Sequence, residues 1–105
     1  MDIQSYQAWV SDFYKQRNWY QYDTFIRSNF LIEEVGELAQ AIRKREIGRD
    51  RPDEIEKSDA ANLEDIREEL GDVLDNIFIL ADRYGFSLEE IAQTHREKLE
   101  RRFAK

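Results

Sequence analysis

The sequence predicts an all-α protein, a bundle of four helices. The composition combines 37% charged residues with four Gly and one Pro, which suits long amphipathic helices better than a sheet protein rich in turns. Apolar residues recur at three- and four-residue spacings in four segments, and one long charged connector divides them. Because one core serves a chain of about this length, residues 1–105 are predicted to form a single domain.

The first two helices follow from apolar spacing and capping residues. The first helix carries Ile3, Tyr6, Val10, Phe13 and Tyr14 at helical spacing. After the aromatic connector "RNWYQYD", a second helix is predicted to start near Asp23 or Thr24, both good N-cap residues, and to continue to about Arg45. The apolar stripe of this second helix consists of Leu31, Val35, Leu38 and Ile42.

A charged loop is predicted at about residues 46–60, because Gly48, Pro52 and dense charge replace the apolar periodicity there. The third helix is predicted from roughly Asn62 to Tyr84, with Gly85 at its C-terminal cap. The sequence "SLEE" provides a capping box, Ser87 to Glu90, for a fourth helix that carries Leu88, Ile91, Leu99 and Phe103.

The charge balance limits the classes of partner. Sixteen basic and 23 acidic residues give a net charge of -7, which is the wrong sign for binding a nucleic acid polymer through its phosphates. There is no Cys, so disulfides and thiolate metal sites are excluded. The sequence shows neither a signal peptide nor a segment that would span a bilayer. We therefore expect a cytoplasmic protein without a membrane partner.

One acidic pattern occurs twice, as "LIEEVGELAQ" from Leu31 to Gln40 and as "REELGDVLDN" from Arg67 to Asn76. At about 100° per residue, Glu34 and Glu37 lie on one flank of the apolar stripe of the second helix. Glu69 and Asp72 occupy the matching flank of the third helix, with Asn76 between them in angle. Each pattern also contains a mid-helix glycine, Gly36 or Gly71, whose cost of about 1 kcal/mol relative to Ala suggests close approach by another backbone or a ligand.

Packing of the second helix against the third would bring four carboxylates together. Like charges at close range raise one another's pKa unless a cation neutralises them. Because all available ligands are oxygen atoms, we expect Mg²⁺, with Mn²⁺ as a substitute. An iron-binding bundle is disfavoured, since its Glu-x-x-His pairs are missing and His95 is the one histidine. Ordinary solvated acidic faces are the alternative interpretation.

These residues resemble a known family. "EEVGE" followed by "EELGD" is similar to the Glu-Glu-x-x-Glu and Glu-x-x-Asp motif of MazG-like nucleotide pyrophosphohydrolases, and "HREKLERRF" is similar to the family's basic C-terminal ending. The resemblance implies an all-α MazG fold completed by oligomerisation, usually as a homodimer or a dimer of dimers. It also implies Mg²⁺-dependent hydrolysis of nucleoside triphosphates to monophosphates and pyrophosphate. Related all-α enzymes that act on other nucleotides share this acidic motif, so the resemblance leaves the base and the sugar open.

The resemblance also assigns roles to individual residues. It implies that Glu34, Glu37, Glu69 and Asp72 bind the metal, and that Glu33, with Glu37, serves catalysis by orienting or deprotonating the attacking water. Lys98 and Arg102, four residues apart and hence on one helical face, would meet the substrate phosphates. The alternative role of this basic pair is to complement the helix dipole.

Two further residues are candidates for substrate binding. Asn76 lies among the acidic residues, and Trp19 in the connector offers an aromatic face for a nucleobase. Plain packing is the alternative role of Trp19, whereas Trp9 is expected in the core because of its helical spacing. The alternative function for the whole chain is a non-catalytic helical oligomer that serves as a protein-interaction module.

Overall fold

The structure, a computed structural model, describes residues 1–48 and 52–104. It consists of four helices, α1 (Ile3–Gln16), α2 (Thr24–Ile47), α3 (Asp59–Arg83) and α4 (Leu88–Arg102). No strand occurs in these described ranges, which confirms the predicted all-α class. None of the helices described is both long and apolar enough to cross a membrane.

The boundaries of the predicted elements are close to those observed. Helix α2 continues to Ile47 and α3 begins at Asp59, so the connector between them is shorter than the predicted loop at residues 46–60. Residues 49–51 of that predicted loop lie outside the described residues. Helix α3 begins three residues before the predicted Asn62, because the Ser58 side chain caps it by accepting a hydrogen bond from the Ala61 N–H.

The caps of the last two helices are those that the sequence predicts. Gly85 has a φ of +77°, and hydrogen bonds from Gly85 N to the Asp82 carbonyl and from Phe86 N to the Ala81 carbonyl complete a Schellman motif. Ser87 and Glu90 form the capping box at the start of α4. These two motifs turn the chain between α3 and α4 with few unsatisfied backbone groups.

The described chain divides into two compact units, Met1–Thr24 with Ile77–Lys105, and Phe25–Asn76. Helix α3 contributes to both units, and the predicted single domain over residues 1–105 stays a prediction. The core of the first unit is formed by Val10, Phe78 and Ile79, with Tyr6, Tyr14, Tyr20 and Leu88 packed around it.

Trp9 is not part of this core. The side chain is 55% exposed and stacks on Tyr6 and Phe13, with ring centroids 5.9 and 4.8 Å away. The expectation that Trp9 is a core residue was wrong, because three- and four-residue spacing also produces a ladder of rings along the exposed side of a helix.

Polar side chains fix α1 against the turn between α3 and α4. The buried Gln7 donates from Nε2 to the Phe86 carbonyl and accepts from the Leu88 N–H, both at 3.0 Å. Asp82 accepts hydrogen bonds from the Ser11 hydroxyl at 2.9 Å and from the Tyr20 hydroxyl at 2.7 Å. These bonds join residues far apart in sequence and therefore stabilise the first unit.

The second unit is formed by α2 and the first part of α3, which run antiparallel. Arg27, near the start of α2, is bonded to Asn76, and Arg45, near the end of α2, is bonded to Asp59 at the start of α3. The start of α2 thus contacts the later part of α3, and the end of α2 contacts the start of α3, so the two helices run antiparallel. The two acidic patterns therefore lie on facing helices, and their charged side chains meet between the two bridging pairs.

Gln7→Leu should lower the free energy of unfolding by about 1–3 kcal/mol, because it leaves the Phe86 carbonyl and the Leu88 N–H without their side-chain partner. Urea denaturation followed by circular dichroism measures this loss. Gln4→Leu, an exposed change on the same helix, is the matched control and should cost much less. Equal stabilities of the two variants would contradict the role given to Gln7.

Candidate metal centre

Three of the predicted metal ligands come together in the second unit. Glu34 and Glu37 lie one turn apart on α2, and Glu69 lies on α3. One carboxylate oxygen from each of these residues lies within 4.8 Å of one oxygen from each of the others. This spacing allows a single cation to contact all three carboxylates, and the described residues offer no other such group of acidic or histidine side chains.

Asp72, the fourth predicted ligand, is exposed and lies outside this group of three. Its negative charge nevertheless acts on the cluster, since it raises the pKa of both Glu34 and Glu69. Asp72 therefore lies at the edge of the site.

The electrostatics of the cluster are unfavourable without a cation. Burial, followed by the charges of Glu37 and Asp72, raises the pKa of Glu34 from 4.5 to about 7. The same causes in the same order raise the pKa of Glu69. At neutral pH the site thus tends to retain a proton that an isolated glutamate would have lost.

The hydrogen bonding of the cluster is also incomplete. The Oε2 atoms of Glu34 and Glu69 are buried, and no donor among residues 1–48 and 52–104 reaches them. No Lys or Arg in these ranges forms an ion pair with Glu34, Glu37 or Glu69. Buried carboxylate oxygens that lack both donor and counter-charge suit a hard divalent cation, and the all-oxygen donor set agrees with Mg²⁺ or Mn²⁺.

The glycines of the two acidic patterns have no close neighbour within the described chain. A Cβ atom added at Gly36 or at Gly71 would meet no atom within 4 Å. No segment within residues 1–48 and 52–104 makes the close approach predicted for these positions, so that approach stays a prediction.

Glu33 and Asn76 belong to the same unit as the cluster. Glu33 is exposed on α2, beside Glu34. Asn76 is 5% exposed, donates from Nδ2 to the Asp72 carbonyl at 2.9 Å and accepts from Arg27 at 3.0 Å. Both ends of the Asn76 amide thus already form hydrogen bonds within the chain. Its predicted contact with substrate stays a prediction.

The remaining predicted residues lie in the first unit. Lys98 and Arg102 are exposed on α4, where Lys98 and His95 line a surface cavity of about 470 Å³. Trp19 is 45% exposed and packs edge-on against Tyr14, with ring centroids 5.5 Å apart. The contacts of these three side chains with substrate stay predictions.

Arg27 is the residue that the sequence motif does not indicate. It lies on α2 with 5% of its surface exposed, bonded to Asn76, with its guanidinium 5.1 Å from the centroid of the Phe30 ring. The sequence contains one indication of its position. Arg27 lies seven residues, or about two helical turns, before Glu34, so its cationic side chain is expected on the same inward face of the helix.

The chain is similar to known proteins over most of its length. The model of the MazG nucleotide pyrophosphohydrolase domain matches residues 27–105, a range that includes both acidic patterns. The uncharacterized protein YvdC of Bacillus subtilis is 52% identical over 103 residues, covering 98% of this chain and 97% of YvdC.

A solved structure shows the same fold. The crystal structure of YPJD from Bacillus subtilis, a proposed pyrophosphatase, matches with a TM-score of 0.71 and 24% identity. The match covers 100% of this chain and 96% of that chain.

In EDTA, the free energy of unfolding should decrease as the pH rises from 5 to 8. This decrease should be larger for the wild type than for Glu34→Gln. The folded state holds a proton on Glu34 up to about pH 7, whereas an unfolded glutamate loses its proton near 4.5. The folded state thus binds more protons between these values, so the contribution of Glu34 to stability is present below pH 4.5 and is lost as pH rises through 7.

Thermal unfolding at pH 5, 6, 7 and 8 checks this difference. Glu64→Gln, which removes an exposed carboxylate from α3, is the control and should retain the wild-type slope. If the slope of Glu34→Gln equalled that of the wild type, the raised pKa of Glu34 would be refuted.

Proposed function

This chain belongs to the MazG nucleotide pyrophosphohydrolase domain family, and we propose that it is a metal-dependent nucleoside triphosphate pyrophosphohydrolase. The proposed reaction converts a ribo- or deoxyribonucleoside triphosphate and water into the monophosphate and pyrophosphate, in the cytoplasm, as part of nucleotide pool clean-up. The observation that carries this proposal is the group of three carboxylates, Glu34, Glu37 and Glu69, within 4.8 Å inside the family's acidic motif.

We propose that Glu34, Glu37 and Glu69 hold Mg²⁺, with Asp72 as a further ligand at the edge and Mn²⁺ as a substitute ion. The buried, unpartnered oxygens of Glu34 and Glu69 support this assignment. When bound, such an ion would relieve charge on the phosphoryl oxygens and on the leaving pyrophosphate. It would also reconcile the net charge of -7 with a polyanionic substrate.

The proposed cleavage takes place between the α- and β-phosphates. A water oxygen bonds to the α-phosphorus, the bond from that phosphorus to the bridging oxygen breaks, and pyrophosphate leaves with the bridging oxygen. We assign Glu33 to orient this water and to accept its proton, a role for which its exposed position beside Glu34 is suitable. Lys98 and Arg102 are proposed to meet the phosphates, Asn76 to contact the substrate and Trp19 to stack on the base.

A second candidate function is a non-catalytic helical oligomer that binds a partner protein. The observation that favours it is a set of large apolar side chains that remain exposed on α2 and α3 in the second unit: Ile32, Val35, Ile42, Leu63, Leu70 and Leu74. An interaction protein would show no pyrophosphate release and would be indifferent to divalent ions. Measurement of pyrophosphate release with and without divalent ions therefore distinguishes the two candidates.

We propose that a second copy of this chain covers these apolar side chains, giving a homodimer or a homotetramer. Sedimentation equilibrium should then give at least twice the 12.6 kDa mass of one chain. Ile32→Lys, which places a charge on this surface, should shift the equilibrium towards the single chain. Ile55→Lys, a change at a still more exposed position in the connector, should leave the mass unchanged. A wild-type mass of one chain at all concentrations would contradict this assembly.

Glu37→Gln should reduce pyrophosphate release by at least about 100-fold, because loss of a direct metal ligand costs more than the 10- to 100-fold that is typical of outer partners. The variant should be as stable as the wild type or more so in EDTA, since one of several repelling charges is removed. Release is measured from a panel of standard and modified ribo- and deoxyribonucleoside triphosphates with Mg²⁺, Mn²⁺ or EDTA.

The matched control is Glu64→Gln, which loses an exposed ion pair with Arg67 on α3 and should retain wild-type rates. Wild-type rates in Glu37→Gln would show that the metal assignment is wrong. Absence of release from the folded wild type across the whole panel would favour the interaction protein.

A further inference from the structure

We propose that Arg27 and Asn76 set the register of α2 against α3 and thereby position Glu34 opposite Glu69. They would act as positioning residues for the metal centre rather than as metal ligands, whether or not Asn76 also contacts the substrate. The inference rests on the proposed function, since it concerns the site that the proposed reaction uses.

The contact between these two residues is buried and directional. The Arg27 Nη1 atom donates to Asn76 Oδ1 at 3.0 Å, and both residues are 5% exposed. The Asn76 Nδ2 atom donates in turn to the Asp72 carbonyl one helical turn earlier, at 2.9 Å. A buried guanidinium and a buried amide lose solvation that a shifted register would not restore, so the pairing disfavours other alignments of the two helices.

The spacing connects this pair to the carboxylates. Arg27 is seven residues before Glu34 on α2, and Asn76 is seven residues after Glu69 on α3. Seven residues are about two turns, or about 10 Å along the axis, and return to nearly the same face. Because the helices are antiparallel, equal steps from the Arg27–Asn76 pair lead to Glu34 on one helix and to Glu69 on the other. The position of the pair thus determines which carboxylates face each other.

A shift of one residue would change this arrangement. Each residue of slip rotates the facing side chain by about 100°, which would move a carboxylate out of the shared site. The carboxylates cannot set the register themselves, because their mutual repulsion favours separation. A second described pair between these helices, Arg45 and Asp59 at 2.9 Å, is largely solvent-exposed and is therefore a weak constraint.

The test separates positioning from plain stability. In the double variant Arg27→Met with Asn76→Leu, both polar partners are replaced by apolar groups of similar size, so stability should remain near that of the wild type. Mn²⁺ affinity, measured without nucleotide by electron paramagnetic resonance of the free ion, should fall by about 10- to 100-fold, as it does when partners that orient ligands are lost. The absence of nucleotide excludes any role of Asn76 in substrate binding from this readout.

Arg45→Met is the matched control, since it removes the same charge from α2 at an exposed position and should keep wild-type affinity. Wild-type Mn²⁺ affinity in the stable double variant would overturn the register role and leave the proposed function standing. If the double variant did not fold, Asn76→Ala would give the same comparison with the same two outcomes. If the wild type bound no Mn²⁺, or if Glu34→Gln bound as much Mn²⁺ as the wild type, both this inference and the proposed metal centre would fail.

Discussion

The repulsion between carboxylates on facing helices is the constraint on which the rest of the structure depends. Glu34 and Glu69 come from different helices and share a partly buried site in which no described donor satisfies their Oε2 atoms. Burial, followed by the charges of Glu37 and Asp72, raises the pKa of Glu34 to about 7, which reflects the cost of holding charged carboxylates in this site. The chain could avoid this cost by separating α2 from α3, so its other contacts have to hold the helices in place.

Those contacts show how a small chain maintains an unfavourable site. The first unit has its own core around Val10, Phe78 and Ile79 and anchors the second half of α3 with buried side chains. In the second unit the buried Arg27–Asn76 bond lies on the same face as the carboxylates, two turns away. Stabilising contacts are thus supplied by the core of the first unit and by the Arg27–Asn76 bond, while the carboxylates of the acidic patterns contribute repulsion.

The sequence predicts the elements of this arrangement better than it predicts their partners. Helix type, the cap at Gly85 and the capping box at Ser87 depend on residues within one turn, and all three are observed. The start of α3 at Asp59 was missed, because the first turn carries no apolar residue of the stripe. Convergence of Glu34, Glu37 and Glu69 could be predicted because each acidic pattern flanks an apolar stripe, and such a stripe is expected to face a neighbouring helix.

Partner-dependent features could not be predicted in the same way. The pairing of Arg27 with Asn76 joins residues 49 positions apart, and nothing local to either residue specifies it. The exposure of Trp9 likewise depends on which side of α1 meets the core, since its spacing allows either side. Burial of a polar or aromatic side chain is decided by the neighbouring element, and one helix does not contain that information.

The acidic patterns break local rules of stability at the same places. Gly36 precedes Glu37 and Gly71 precedes Asp72, and each glycine costs about 1 kcal/mol in a helix interior although no described atom approaches it. The carboxylates beside them add repulsion to that cost. Local choices that oppose folding are expected where another requirement overrides stability. The glycines and the repelling carboxylates occur together within two ten-residue segments on facing helices. Their coincidence is a stronger argument for a functional centre than either cost would be alone.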